Sequence, residues 1–128
     1  MKKTTHPWAN RSLLQGVYFT LCLTEKQFNA VCKHLSVEAD FNHSHHGTTY
    51  HFESGDKNVS VVVIRNWKDR DRNAVLGLIA HEAMHVWQET KRIIGETNPG
   101  REIEAYAMQN ITQELFELYD KLSRKSKA

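Results

Sequence analysis

Apolar positions run continuously or alternate with polar ones in the first half of the chain, then switch to helical spacing. Residues 17–23, Val-Tyr-Phe-Thr-Leu-Cys-Leu, form a β-rich apolar run and predict a strand. Thr24 opens a Thr-x-x-Gln capping pattern, and Phe28, Val31, Cys32 and Leu35 follow at helical spacing. A helix to about residue 35 is expected. Residues 36–46 are polar and irregular. Residues 48–53 and 58–65 then flank Ser54-Gly55-Asp56-Lys57, a hairpin signal. Its second arm contains Val59-Ser60-Val61-Val62-Val63-Ile64, the most β-branched stretch of the chain. That run suits either a strand edging a cleft or a central strand covered on both faces.

No later stretch reads as a strand. Residues 67–72 form a charged loop in which Asp69 or Asp71 can cap a helix over residues 73–94. Gly95 ends that helix, and Asn98-Pro99-Gly100 makes a turn. The last helix is expected over 101–123, with Met108, Ile111, Leu115, Leu118, Tyr119 and Leu122 as its core stripe. The expected fold class is therefore α+β: a small sheet of about three strands packed on two long C-terminal helices. At 128 residues the whole chain, 1–128, reads as one domain able to bury a real core. Residues 1–12 and 124–128 read as flexible or loosely packed ends.

Composition narrows the function classes. A net charge of +2 is too mild to argue for nucleic acid, and the basic tail of Lys121, Arg124, Lys125 and Lys127 reads as a solvated end. No secretory apolar segment follows Met1-Lys2-Lys3, and no run is long enough to span a membrane. A cytoplasmic, intracellular protein is expected, with Cys22 and Cys32 as reduced, buried thiols rather than metal ligands.

The chemistry gathers in the 73–94 helix. His81-Glu82-Ala83-Met84-His85 places two imidazoles four positions apart, on one face and about one turn from each other. Both can reach a single ion, and Zn²⁺ is the expected one. Glu82 is rotated by about 100° from His81 and is better placed to serve a metal-activated water as general base than to ligate. Val75, Leu76, Leu78, Ile79, Met84, Val86 and Trp87 lie around the motif on nearly all sides, so a buried helix carrying an internal polar group is expected. The bland alternative is a pair of core histidines with Glu82 paired to a cation. A second His-rich stretch, Asn42-His43-Ser44-His45-His46-Gly47, could also bind metal, but reads better as an exposed loop.

A catalytic zinc usually has three protein ligands. No histidine follows His85, and the upstream histidines lie in a different part of the chain, which leaves a carboxylate. Glu89 and Glu96 are too close along the same helix, and Glu114, Glu117 and Asp120 lie too far along the last one. Glu102 and Glu104 remain, both in the first turn of the last helix, where the helix dipole alone would favour them. Periodicity with Met108, Ile111 and Leu115 points Glu104 inward.

His81-Glu82-x-x-His85 followed by Glu102-x-x-Ala105-Tyr106 resembles the gluzincin arrangement of zinc metallopeptidases. The chain is similar in size to the minimal gluzincins and to short zincin-like proteins of phages and bacterial mobile elements. The resemblance covers about residues 75–110. It implies a zincin-like fold, His81, His85 and Glu102 as zinc ligands with Glu104 as rival, Glu82 as general base, and a peptide or protein as substrate. The acidic residue that orients a ligand histidine in that family is Tyr106 here, which leaves Tyr106 as a possible partner in that role. Tyr50, His51, Tyr106 and Tyr119 are candidates by type for a second oxyanion donor. The alternative is a zinc-containing binding or regulatory module with little turnover.

Overall fold

The computed structural model describes residues 6–9 and 16–127, with side chains through Arg124. Its elements are β1 (Tyr18–Cys22), α1 (Glu25–Leu35), β2 (Gly47–Ser54), β3 (Lys57–Ile64), α2 (Arg72–Ile94) and α3 (Arg101–Lys127), with a 3-10 turn at Trp67–Asp69. The fold is a small α+β one: a three-stranded sheet and three helices.

Local chemistry explains most of the boundaries. Thr24 Oγ1 accepts the Gln27 N–H at 3.1 Å, while Gln27 Oε1 reaches back to the Leu23 N–H at 2.7 Å. The capping pattern thus forms, with its return bond one residue earlier than usual. Ser54 pairs with Lys57 across the hairpin, and Gly55 takes the positive φ of 63° that a two-residue turn of this kind requires. Asp71 accepts the Ala74 N–H at 2.8 Å and starts α2; Gly95, at φ 78°, ends it.

The strand order is β1-β3-β2, with β1 parallel and β2 antiparallel to β3. The β-branched run therefore lies at the centre of the sheet, and its edge reading is corrected. Its two sets of side chains enter different cores. Val59, Val61 and Val63 pack with Phe28, Val31 and Cys32 of α1. Val62 and Ile64 pack with Val75, Ile79, Val86 and Trp87 of α2 and Ile111, Leu115 and Leu118 of α3. A strand covered on both faces needs apolar side chains on both, which accounts for the unbroken run.

α2 crosses β2 and β3, while α3 packs on α2 and reaches β1. The last helix runs to Lys127, past the expected residue 123. The expectation of a loose start fails for residues 6–9: the Ala9 N–H donates to Phe19 O at 3.0 Å, and Thr20 Oγ1 donates to Pro7 O at 2.7 Å. The expected flexibility of 1–5, 10–12 and 128 concerns positions outside the described residues. Cys22 and Cys32 are both buried free thiols, and burial pushes the Cys22 thiol far above its ordinary pKa, so it is inert as a nucleophile. No helix among the described residues is long and apolar enough to cross a membrane.

Candidate metal centre

Two of α2's flanks are occupied by packing. Val75, Ile79, Ala83, Val86 and Trp87 are fully buried in the core that α2 shares with the sheet and α3. The remaining flank carries His81, Met84, His85 and Gln88. The expectation of a helix buried all round is thus corrected: His81 is exposed, His85 is half-buried, and only Glu82 of the motif is enclosed, at 4% exposure. Glu82 sits where the open flank meets the sheet.

The spacing does bring the motif together. Ligand atoms of His81, Glu82 and His85 all lie within 4.8 Å of one another. The two rings are 5.3 Å apart between centroids and inclined at 73°. His85 Nδ1 is 3.0 Å from Gln88 Oε1, so the ring donates there and its Nε2 keeps a lone pair for an ion.

Glu82 is held from the sheet side. Thr49 Oγ1 donates to Glu82 Oε1 at 2.8 Å. Gly47 lets the carboxylate lie flat against β2, since a Cβ at that position would stand 2.9 Å from Glu82 Oε2. A buried carboxylate with one neutral hydroxyl donor is poorly compensated. His81 Nε2 lies 3.9 Å from Oε2, a contact that supplies countercharge only when the ring is protonated. A cation on the two histidines would supply the missing countercharge. The donor set therefore fits a divalent ion, although two imidazoles and a carboxylate do not by themselves select zinc.

These residues line an open cleft of about 400 Å³, whose opposite wall is made by Asn42, His45, Gly47, Thr48, Thr49 and His51. His51 Nδ1 lies 2.8 Å from the hydroxyl of Ser60, its cross-strand neighbour. Partial desolvation holds the His51 imidazole below its ordinary pKa; His85 and Arg92 push the same way, and Glu89 opposes them. Neutral imidazole is the metal-binding form. Asn42 Oδ1 accepts the N–H groups of Ser44 and His45, and Arg65 donates to the His45 carbonyl at 3.0 Å. The His-rich loop is thus exposed at residues 43–46, as expected, and tied down beside the cleft.

The carboxylates of α3 are elsewhere. Glu104 does point inward, as periodicity predicts, but it accepts from Trp87 Nε1 at 2.7 Å and Lys91 Nζ at 3.1 Å. Those partners lie on α2's packed flank, and they hold the Glu104 carboxyl below its ordinary pKa. Glu102 is exposed. Neither belongs to the His81–Glu82–His85 group, so the structure does not bring the expected third ligand to it. Tyr106 is 63% exposed on α3 and is not part of the cleft wall. Of the oxyanion candidates, Tyr119 is buried in the core, and the Tyr50 hydroxyl is taken by Asp40 O and the Asn42 N–H. His51 alone of the four lines the cleft.

Gly47, Thr49 and the placement of His51 were missed by sequence reasoning. A signal was present. Every second residue of β2 from Gly47 is non-apolar (Gly47, Thr49, His51, Glu53), while Tyr50 and Phe52 on the other face are aromatic. Comparison with protein-family models, curated proteins and solved structures gives no match to this chain.

Proposed function

We propose that the protein is a metal-dependent hydrolase of peptide bonds, with zinc as the expected ion, His81 and His85 as ligands and Glu82 as general base. One observation carries the reading: a buried carboxylate held by Thr49 beside two imidazoles at helical spacing, open to a cleft. Bound there, the ion would polarise a substrate carbonyl and lower the pKa of its water to about 7. The protein's part is positioning. Thr49 fixes Glu82 Oε1, Gln88 sets the His85 tautomer, and Glu82 would serve as the base that accepts a proton from water and returns it to the leaving nitrogen. The free edge of β2 runs beside these groups, so an extended peptide could add to the sheet there by backbone hydrogen bonds. The α+β arrangement, with strands preceding the motif helix, agrees with a zincin-like fold and supports the metallopeptidase reading.

Glu82→Gln tests this. The substitution keeps size and removes the base. Hydrolysis of a library of unstructured peptides should fall by about 10²–10⁴-fold, with zinc content and fold retained. His85→Ala should lose the zinc. Equal zinc in His85→Ala and wild type would sink the metal site. A wild type that binds zinc but cleaves nothing would favour the binding-module alternative.

A further inference from the structure

Two histidines from one helix leave an ion short of the three protein ligands usual in an open zinc site. We propose that His51 of β2 is the third protein ligand, so that three imidazoles hold the ion, two from α2 and one from the facing strand. The proposal rests on the metal reading above and names a residue that the resemblance to gluzincins does not supply.

The register of β2 against α2 carries it. Gly47 and Thr49 meet Glu82, and His51, two residues farther along β2, lines the same cleft as His85. Strand and helix therefore advance together along the cleft, and His51 and His85 line its two walls. Tyr50 and Phe52, pointing the other way, pack in the core on the opposite sheet face. Ser60 supplies the second observation. It is fully buried, in a strand otherwise valine and isoleucine from Val59 to Ile64. Its hydroxyl meets His51 Nδ1 at 2.8 Å and leaves Nε2 to face an ion. A ligand histidine bonded through its other nitrogen is the usual arrangement at metal sites. His85 is bonded the same way, through Nδ1 to Gln88.

The rival donors are otherwise engaged. Glu104 is bound to Trp87 and Lys91, and Glu89 to Arg92 at 2.7 and 3.0 Å. Asn42 Nδ2 donates to His45 Nδ1 at 3.0 Å, which engages that nitrogen and leaves Nε2 of the neutral ring as an N–H donor. His51 lines the cleft but stands outside the group within 4.8 Å, so coordination draws its ring toward His85. β2 is an edge strand paired only with β3 and can shift without breaking a second ladder.

The test is metal binding, read without turnover. Zinc affinity is measured by competition with a chelating dye, alongside circular dichroism to confirm folding. His51→Ala should weaken zinc by more than about 100-fold, and Ser60→Ala by about 10–100-fold, the range for an orienting partner. Glu102→Ala and Glu104→Ala should bind as wild type. His51→Cys, loaded with Co²⁺, should show a thiolate-to-cobalt charge-transfer band that wild type, with both its cysteines buried, lacks. Wild-type affinity in His51→Ala, or a cobalt-loaded His51→Cys without that band, overturns the assignment and leaves the His81–His85 site standing. Unchanged zinc in His85→Ala brings down the site itself.

Discussion

Gly47→Ala offers a test of whether the position of the Glu82 carboxylate matters. The glycine is not in a left-handed conformation, so alanine meets no backbone strain there. The added methyl would stand 2.9 Å from Glu82 Oε2 and 3.3 Å from Cδ and Cγ, where ordinary contact begins at 3.4 Å. The tightest contact is thus with the end of a side chain, which can move, and not with backbone. The stability cost should stay near the low end of the about 1–3 kcal/mol typical of overpacking. The carboxylate, however, must move by about 0.5 Å, and since a misplacement of about 1 Å can cost on the order of 10²-fold, kcat should fall about 10-fold. The measurements are peptide hydrolysis, zinc content and thermal unfolding on the same preparation. A folded, zinc-loaded Gly47→Ala with wild-type kcat would refute the role given to the Glu82–β2 contact. Loss of zinc would show instead that Glu82 helps to hold the ion.

Thr49→Val should destabilise the fold by about 1–3 kcal/mol, because the enclosed Glu82 loses its hydroxyl donor, and denaturant unfolding would measure it. In a double-mutant cycle with Glu82→Met, which cannot accept from Thr49, the two changes should be non-additive; simple additivity would mean that the contact carries no energy. Trp87 and Lys91 hold the Glu104 carboxyl below its ordinary 4.5, so its contribution to stability is present above that pH and is lost as pH falls through the lower folded value. The gap in Tm between wild type and Glu104→Gln should therefore be widest near neutrality and shrink below about pH 4; a gap that widens on acidification would contradict the pairing. Leu115→Ala, at a fully buried position shared by the sheet and both long helices, should cost about 2–5 kcal/mol in denaturant unfolding.

The elements were legible because each carries its own local physics. The capping pattern at Thr24, the turn at Gly55, the Asp71 cap and the Gly95 stop act within a few residues. The His81–Glu82–His85 group was legible for the same reason: helical periodicity alone brings its members together. What stayed hidden depends on how elements meet. Nothing local tells that β3 pairs in parallel with β1 and so lies inside the sheet. Nor does it tell that β2 lays Gly47, Thr49 and His51 against α2.

The third-ligand expectation is where the placement of the elements departs from the sequence reading. It set the upstream histidines aside because they lie elsewhere along the chain, and turned to the first carboxylates of α3, which follows α2 across the turn at Asn98-Pro99-Gly100. That return does occur, and Glu104 faces α2 as its periodicity requires. Facing a helix, though, is different from facing the right flank of it. At about 100° per residue and by the shorter way round the axis, Trp87 lies roughly 160° from His85 and Lys91 about 120° from it. Glu104 would have to leave both of its donors and pass round the helix to reach His81 and His85. β2 borders the open flank at Glu82, and the hairpin brings His51 there although its sequence distance is large. A ligand is selected by the flank that its element borders, and only the tertiary packing of β2 and α3 on α2 decides which element that is.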